Sequence, residues 1–350
     1  MRSCEYRDKL IIFSKMSKKD IIVGIDIGSS NTRTVIAQLF PEEEMPRIIG
    51  VGVSQSAGIR KGVVVDLEEA IRSISESVEK AESNSGRTVE KAIVNLGGGH
   101  ITSQDSKGVI AVGRADGEVI EDDIARVINA AQAISVPPNK EIIHVIPRNY
   151  SLDDQKGIKD PLGMNGVRLE VDAMIIEGST PYVKNIIKCV EQSKINLDAF
   201  VLSPLAAAKA TLSKRQKELG VVLVDIGGGT TSVAVFEEND LLHTSVLSIG
   251  GVNITNDIAI GLRTSIDVAE KVKLEYGNAL PKEIGKKEDI NLSLIDSNEE
   301  GTVSRHHVAE IIEARLEEIF FLVNKELKSI GREKLLPAGI VLTGGTAKLP

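Results

Sequence analysis

One pattern in the chain occurs twice. Ile22-Val23-Gly24-Ile25-Asp26-Ile27-Gly28-Ser29-Ser30-Asn31-Thr32 returns as Val221-Val222-Leu223-Val224-Asp225-Ile226-Gly227-Gly228-Gly229-Thr230-Thr231. Aspartate, isoleucine, glycine and threonine coincide at Asp26/Asp225, Ile27/Ile226, Gly28/Gly227 and Thr32/Thr231. Each copy is an apolar run ending in aspartate, a tight turn of glycine and small hydroxyl residues, and a second β-rich run. An echo at so long a period marks two related halves built on the same strand–turn–strand unit.

Such turns suit phosphate. Glycine lets the backbone approach an anion closely, and successive N–H groups can point into one concavity. Ser29, Ser30, Thr230 and Thr231 add hydroxyl donors. An aspartate at the strand end repels phosphate at close range. Asp26 and Asp225 therefore make sense only with a divalent cation, Mg²⁺, or its waters in between. A P-loop is excluded, because neither copy has the Gly-Lys-Ser/Thr that follows the glycines or the helix after it. A dinucleotide fingerprint also opens a helix, whereas both copies here run into β. Two phosphate-binding hairpins in two halves imply a nucleotide held between them. A third element, Ile340-Val341-Leu342-Thr343-Gly344-Gly345-Thr346, is a strand running into a glycine pair that would let backbone lie against a base or ribose.

The remaining sequence fits a soluble protein of two to three domains. It has 350 residues, 42% hydrophobic and 26% charged, with a formal charge of −8. The acidic balance and the absence of tryptophan argue against nucleic-acid binding. Cys4 and Cys189 make neither a metal-ligand spacing nor a disulfide framework, which suits a reducing cytoplasm. No apolar run approaches the ~18 residues of a membrane span. Met16 is a more natural start than Met1, so residues 1–15 read as a disordered tail or a mis-assigned start. Strands are expected at residues 21–25, 32–37, 92–96, 141–146, 221–225, 231–236 and 339–343. Helices are expected behind Asp66, around Ile124 and Val127 with a stop at Pro137-Pro138, from Thr180-Pro181, and from Ser304 towards Lys328. Gly97-Gly98-Gly99, the Pro-Pro turn and residues 281–301 read as boundaries, the last as a surface excursion. The mixture is α/β.

These motifs resemble those of the actin-like ATPase superfamily. Within it the chain resembles the FtsA family of bacterial cell-division proteins, on Gly58-Ile59-Arg60-Lys61-Gly62-Val63-Val64, Asn95-Leu96-Gly97-Gly98-Gly99, the run from Val136-Pro137-Pro138 to Pro147, that from Ile158 to Glu170, and Ile249-Gly250-Gly251-Val252-Asn253-Ile254-Thr255. The resemblance runs from about Asp20 to the end. It implies an actin-like fold of two ribonuclease-H-like halves, with an FtsA-type subdomain 1C, of SHS2 type, inserted in the first. The implied divisions are a tail (1–19), subdomain 1A (20–99 and 181–217), 1C (100–180), 2A (218–247 and 323–350) and 2B (248–322).

The resemblance also assigns roles. Asp26 and Asp225 would hold Mg²⁺ through water. Gly28, Ser29 and Ser30 with Gly227, Gly228, Gly229, Thr230 and Thr231 would wrap the β- and γ-phosphates of ATP. Gly250, Gly251, Gly344, Gly345 and Thr346 would line the nucleoside, flanked by Lys271. Two positions depart from the family pattern. Relatives often have lysine where Asn31 stands, and Arg33, on the same face of the strand, would partly replace its charge. Ser203 occupies the place of a water-orienting acid or amide, and it polarises water poorly. Phosphoryl transfer depends on positioning and charge, so tight ATP binding with weak ATPase activity at most is expected.

As the resemblance implies, the protein would be an ATP-dependent polymerising adaptor of the septal cytoskeleton. Subdomain 2B would grip the FtsZ C-terminal tail, with Arg305 and Arg315 as candidates, and 1C would meet later division proteins. The family's C-terminal amphipathic helix, a peripheral membrane anchor at the cytoplasmic face of the division site, is not in the sequence, which reads as truncated. A PilM-like pilus-assembly scaffold shares the layout and is the nearest alternative. A small-molecule kinase would need a general base in residues 202–213, where no aspartate stands.

Overall fold

The computed structural model describes residues 21–40, 43, 45–285 and 287–350; the tail expected at residues 1–15 lies outside them. In chain order, the first lobe begins with β1 (Ile21–Ile27), β2 (Asn31–Gln38), β3 (Arg47–Gln55), α1 (Leu67–Ser85) and β4 (Lys91–Leu96). An inserted module follows, with β5 (Thr102–Ala111), α2 (Glu121–Ala131), β6 (Lys140–Leu152), β7 (Gln155–Ile158) and β8 (Arg168–Ser179). The chain returns through α3 (Thr180–Gln192), β9 (Asn196–Leu202), α4 (Ser203–Thr211) and α5 (Lys214–Leu219). The second lobe has β10 (Val221–Ile226), β11 (Thr231–Glu237), β12 (Asp240–Leu247), α6 (Gly251–Leu262), α7 (Ile266–Tyr276), α8 (Arg305–Ser329) and β13 (Ile340–Thr343).

The repeated hairpin organises both lobes in the same way. In the first sheet, order β9-β4-β1-β2-β3, β1 pairs antiparallel with β2 and parallel with β4. In the second, order β12-β11-β10-β13, β10 pairs antiparallel with β11 and parallel with β13. The two aspartates hold equivalent registers, Asp26 opposite Arg33 and Asp225 opposite Ser232. Between the lobes α4 presents Leu205, Ala207 and Ala208 to a core that contains Leu96, Leu223 and Ala234. The opposite face of the second sheet, Val222, Val224, Val233 and Val235, packs on Ile319 and Val323 of α8.

In the first lobe the helix and sheet approach closely because both surfaces are small. α1 turns Ala70, Ser73, Ser77 and Ala81 inward. Against them lie Gly50 and Gly52 of β3, where a Cβ on Gly52 would come 1.8 Å from the Ser77 carbonyl oxygen. The buried serines are satisfied, Ser77 with Thr34 at 2.8 Å and the Ser73 carbonyl with Ser54 at 2.6 Å. Asp66 caps α1 by accepting from the Glu69 N–H, as its sequence predicts.

Three boundary expectations change. α2 ends at Ala131, before Pro137-Pro138, and that turn lies inside the inserted module rather than at a border. Residues 281–301 are not a mere excursion, since Ile284, Ile290 and Leu292 are buried and the last two join the core formed by α6, α7 and the first half of α8. α8 runs unbroken through residues 322 and 323, so one helix serves both cores of the second lobe.

Gly52→Ala should destabilise the first lobe by about 1–3 kcal/mol, because the added methyl forces α1 off the sheet. A thermal-unfolding midpoint several degrees below wild type is expected; an unchanged midpoint would show that the contact relaxes freely.

Candidate functional site

The two acid-tipped hairpins meet. A Cβ on Gly228 would come 1.9 Å from Ser30 Oγ, and one on Gly229 would come 2.6 Å from Ser29 Oγ. Neither glycine has a positive φ. They are required by proximity: the opposite turn occupies the space a side chain would take. The turns close alike, Gly28 N–H donating to the Asn31 carbonyl at 3.2 Å and Gly227 N–H to that of Thr230 at 2.9 Å.

Electrostatics show the same juxtaposition. Burial pushes the Asp26 carboxyl above its usual range, and Arg33, opposite it on β2, pulls the other way with Nη1 3.3 Å from Oδ2. Burial also raises Asp225, and the next cause is the charge of Asp26, partly offset by Arg33. A carboxylate feels another's charge in this way only when the two share one crevice.

Asn95, at the end of β4, ties the site to the rest of the first lobe. Its Oδ1 accepts the Ile27 N–H at 2.7 Å, and its Nδ2 donates to Asp26 Oδ1 at 2.7 Å and to Ser203 Oγ at 3.1 Å. Ser203, the first residue of α4, donates its hydroxyl to the Leu96 carbonyl at 3.0 Å. The preceding Leu202 N–H donates to Nε2 of His144 at 3.0 Å, and burial lowers the pKa of that imidazole to about 4. A further turn, Arg60-Lys61-Gly62, enters from the side. Gly62 N–H donates to Ser29 Oγ at 3.0 Å, and the Lys61 backbone nitrogen lies 3.0 Å from where a Gly229 Cβ would stand.

The glycine pairs gather behind the second hairpin. Gly251 N–H donates to the Gly227 carbonyl at 2.9 Å and Val252 N–H to that of Gly228 at 2.8 Å. Thr346 Oγ1 donates to the Gly227 carbonyl at 3.2 Å. At Gly344, φ is +92° and a Cβ would meet Asp225 Oδ1 at 2.5 Å, whereas Gly345 faces open space. By these contacts Thr230 stands with Gly28, Ser29, Ser30, Gly227, Gly228, Gly229, Gly250, Gly251, Gly344 and Thr346 where the two hairpins meet, with Asn31 and Arg33 next to them on β2.

Other expected site residues lie elsewhere. Thr231 is fully buried and donates to the Ile249 carbonyl at 2.9 Å, so its hydroxyl braces the hairpin. Lys271 is exposed, with Nζ 3.4 Å from the Ile295 carbonyl. Two residues further along α7, and so on another face of the helix, Lys273 is buried against Gly251. Its Nζ donates to Thr255 Oγ1 at 2.8 Å and Glu270 Oε2 at 2.6 Å, with the Gly251 carbonyl at 3.4 Å. Arg305 donates to the Tyr276 carbonyl at 3.0 Å and pairs with Glu288 at 2.7 Å. Arg315 forks onto Asp257 at 2.6 and 2.9 Å. Asn95, Lys61 and Lys273 were missed as site residues, although the first two stand in the quoted Asn-Leu-Gly-Gly-Gly and Gly-Ile-Arg-Lys-Gly motifs.

The donor set fits a hydrated Mg²⁺. Two carboxylates both raised by burial, Asp225 further by the charge of Asp26, suit an ion that takes one or two protein oxygens and completes its shell with water and phosphate. Among the described residues no cluster of three or more His, Cys, Asp or Glu forms a dedicated metal cage.

A carboxyl raised in the folded state binds its proton there first, so it opposes folding once ionised, and its contribution improves as pH falls through the interval above 3.8. Asp225→Asn should therefore raise the thermal midpoint of the nucleotide-free protein by a few degrees at neutral pH. That advantage should shrink on acidification, as wild-type Asp225 becomes neutral. A variant no more stable than wild type at neutral pH would count against the shared crevice.

The model of the SHS2 domain inserted in FtsA matches residues 98–177, and that of cell division protein FtsA matches residues 222–350. Cell division protein FtsA of Bacillus subtilis (strain 168) is 43% identical over 335 residues, 96% of this chain and 76% of the relative. That of Pseudomonas aeruginosa is 40% identical, over 94% of this chain and 78% of the relative. That of Escherichia coli (strain K12) is 34% identical, over 96% and 81%. Among solved structures, a PilM–PilN type IV pilus biogenesis complex aligns with a TM-score of 0.64 at 17% identity, covering 93% of this chain and 82% of that one. MreB5 of Spiroplasma citri bound to ADP aligns with 0.52 at 13% identity, over 95% and 87%. These two structures are similar in fold, which is the two-lobed actin-like fold that the family resemblance implies. At the level of sequence the chain belongs to the FtsA family of cell division proteins.

Proposed function

We propose that the protein binds Mg·ATP between its two hairpins and acts as an actin-like, self-polymerising adaptor that links FtsZ to the inner membrane at the septum, with weak ATPase activity at most. The observation that carries the nucleotide part is the meeting of Asp26 and Asp225, with Gly228 and Gly229 against Ser30 and Ser29. Backbone N–H groups and hydroxyls of the two turns would hold the β- and γ-phosphates, and Gly250, Gly251, Gly344, Gly345 and Thr346 would border the nucleoside. On that side Lys273 and Glu270 are better placed than Lys271, because Lys273 lies against Gly251. Bound Mg²⁺ would supply the positive charge that lets two carboxylates and a triphosphate share the crevice.

Slow turnover is supported by what surrounds Ser203. Its hydroxyl is donated to the Leu96 carbonyl and receives the Asn95 amide, so it is committed to the fold and is a weak base besides. Purified protein with Mg·ATP should bind nucleotide and release phosphate far more slowly than a working kinase, at whose scale kcat is about 1–100 per second. Rapid multiple-turnover phosphate release would contradict the reading.

The FtsZ tail is proposed to dock on the part of the second lobe built from α6, α7 and the start of α8. Arg315 is already held by Asp257, so its charge reversal would disturb the fold as well as any peptide. Arg305, at the first turn of α8, pairs among the described residues with Glu288 and donates to the Tyr276 carbonyl, and it is the second probe. Arg305→Ala should weaken binding of an FtsZ tail peptide several-fold in titration while leaving Mg·ATP binding unchanged; equal peptide affinity would remove Arg305 from the site. Later division proteins are proposed to meet the inserted module, and the membrane end of the link is proposed for the family's C-terminal helix.

A further inference from the structure

The inserted module touches both lobes, and one of its strands, β6, carries a contact to each. β6 carries two extra residues relative to β8. Pairing passes from Asn149 opposite Asp172 to Pro147 opposite Ala173, leaving Arg148 over, and from His144 opposite Ile176 to Ile142 opposite Glu177. A bulge re-aims the side chain at the extra position. Here it sends the Arg148 guanidinium to the second lobe, where Nε donates to the Leu241 carbonyl and Nη2 to the Leu242 carbonyl, both at 2.8 Å. Nη1 is steadied by Asp105 of β5 at 2.8 Å.

The receiving strand is shaped for this contact. β12 is the edge of the second sheet, and its pairing with β11 passes from Leu241 opposite Phe236 to His243 opposite Val235, leaving Leu242 over. Consecutive carbonyls of a regular strand point to opposite sides, so one guanidinium takes both only where the strand is bulged. Two lesser contacts flank the fork, Lys159 Nζ to Asp240 at 2.5 Å and Ser103 Oγ to the Thr244 carbonyl at 3.4 Å. Beside them the surfaces part around a crevice of ≈ 520 Å³ lined by Lys107, Asn149, Asp172, Glu237 and Glu238 among others. Beneath these polar contacts, Leu241 and Phe236 of the second lobe belong to the same buried core as Met174 and Ile176 of the module. To the first lobe the module is held separately, by His144 accepting the Leu202 N–H at 3.0 Å.

We propose that Arg148 is a latch by which the inserted module bridges the lobes and limits how far the cleft opens. His144 anchors the strand beside Ser203 in the first lobe, and Arg148, four residues on, fastens the same strand to the second. Any ligand that binds the module better with the latch released must loosen the lobes, and a ligand that closes the lobes must favour the latched module, since coupling between sites is reciprocal. The latch stands on these contacts alone and not on the identity of the molecule in the cleft.

The test is a pair of distance measurements by pulsed electron resonance, without nucleotide, on the full chain in a Cys4→Ser background. Labels at Lys156→Cys and Lys325→Cys span module and second lobe; labels at Arg87→Cys and Lys325→Cys span the two lobes. Wild type should give one narrow distance for each pair. Arg148→Lys keeps the charge but cannot fork onto two carbonyls, and it should at least double the width of both distributions with an unchanged circular-dichroism spectrum; Arg148→Ala should do the same. Wild-type widths for either pair in Arg148→Lys would overturn the proposal. Should Arg148→Ala fail to fold, the lysine variant and Lys159→Ala, expected to widen the module pair less, carry the decision.

Discussion

Two negative charges are held where neither is comfortable alone. Asp26 and Asp225 end equivalent strands of two equivalent hairpins, and the folding of each lobe drives its own aspartate into the same crevice. Around this point the neighbouring residues are neutral or positive: Asn95 holds one oxygen of Asp26, Arg33 approaches the other, and both turns present N–H and hydroxyl groups. The price of the arrangement is the loss of carboxylate solvation, which an incoming cation and its phosphate partner would reverse.

Glycine has a different job at different places in this molecule. At Gly228 and Gly229 it leaves room for the opposite turn, and at Gly52 it leaves room for a helix backbone. Only at positions such as Gly344 is an unusual φ involved as well. The repeated glycines are therefore a record of close approach between backbones, and the cleft is as narrow as it is because the turn residues on both sides are small.

The hairpins, their aspartates and the helix caps were legible in the sequence because each is written in a few consecutive residues. Asp66 caps α1 and Ser304 caps α8 through local bonds of the kind a short motif encodes. What escaped depended on partners far along the chain. Asn95 acquires its meaning from Asp26 and Ser203, and Arg148 from Leu241 and Leu242. Lys271 and Lys273 differ only in which side of one helix they take, and the buried side is set by packing against Gly251 rather than by any local signal. Residues 281–301 looked polar enough to be a loop, yet Ile290 and Leu292 suffice to hold them in a core.

A duplicated hairpin, two acids that meet between the lobes and a module fastened to both lobes belong to one connected structure. Manganese relaxation tests that centre most directly. With ATP present and Mn²⁺ in place of Mg²⁺, the ¹³C carboxyl signals of Asp26 and Asp225 should broaden together at one equivalent of metal, while that of Asp257, engaged with Arg315, stays sharp. Broadening of one aspartate without the other, or of neither, would mean that the lobes do not close upon a common ion.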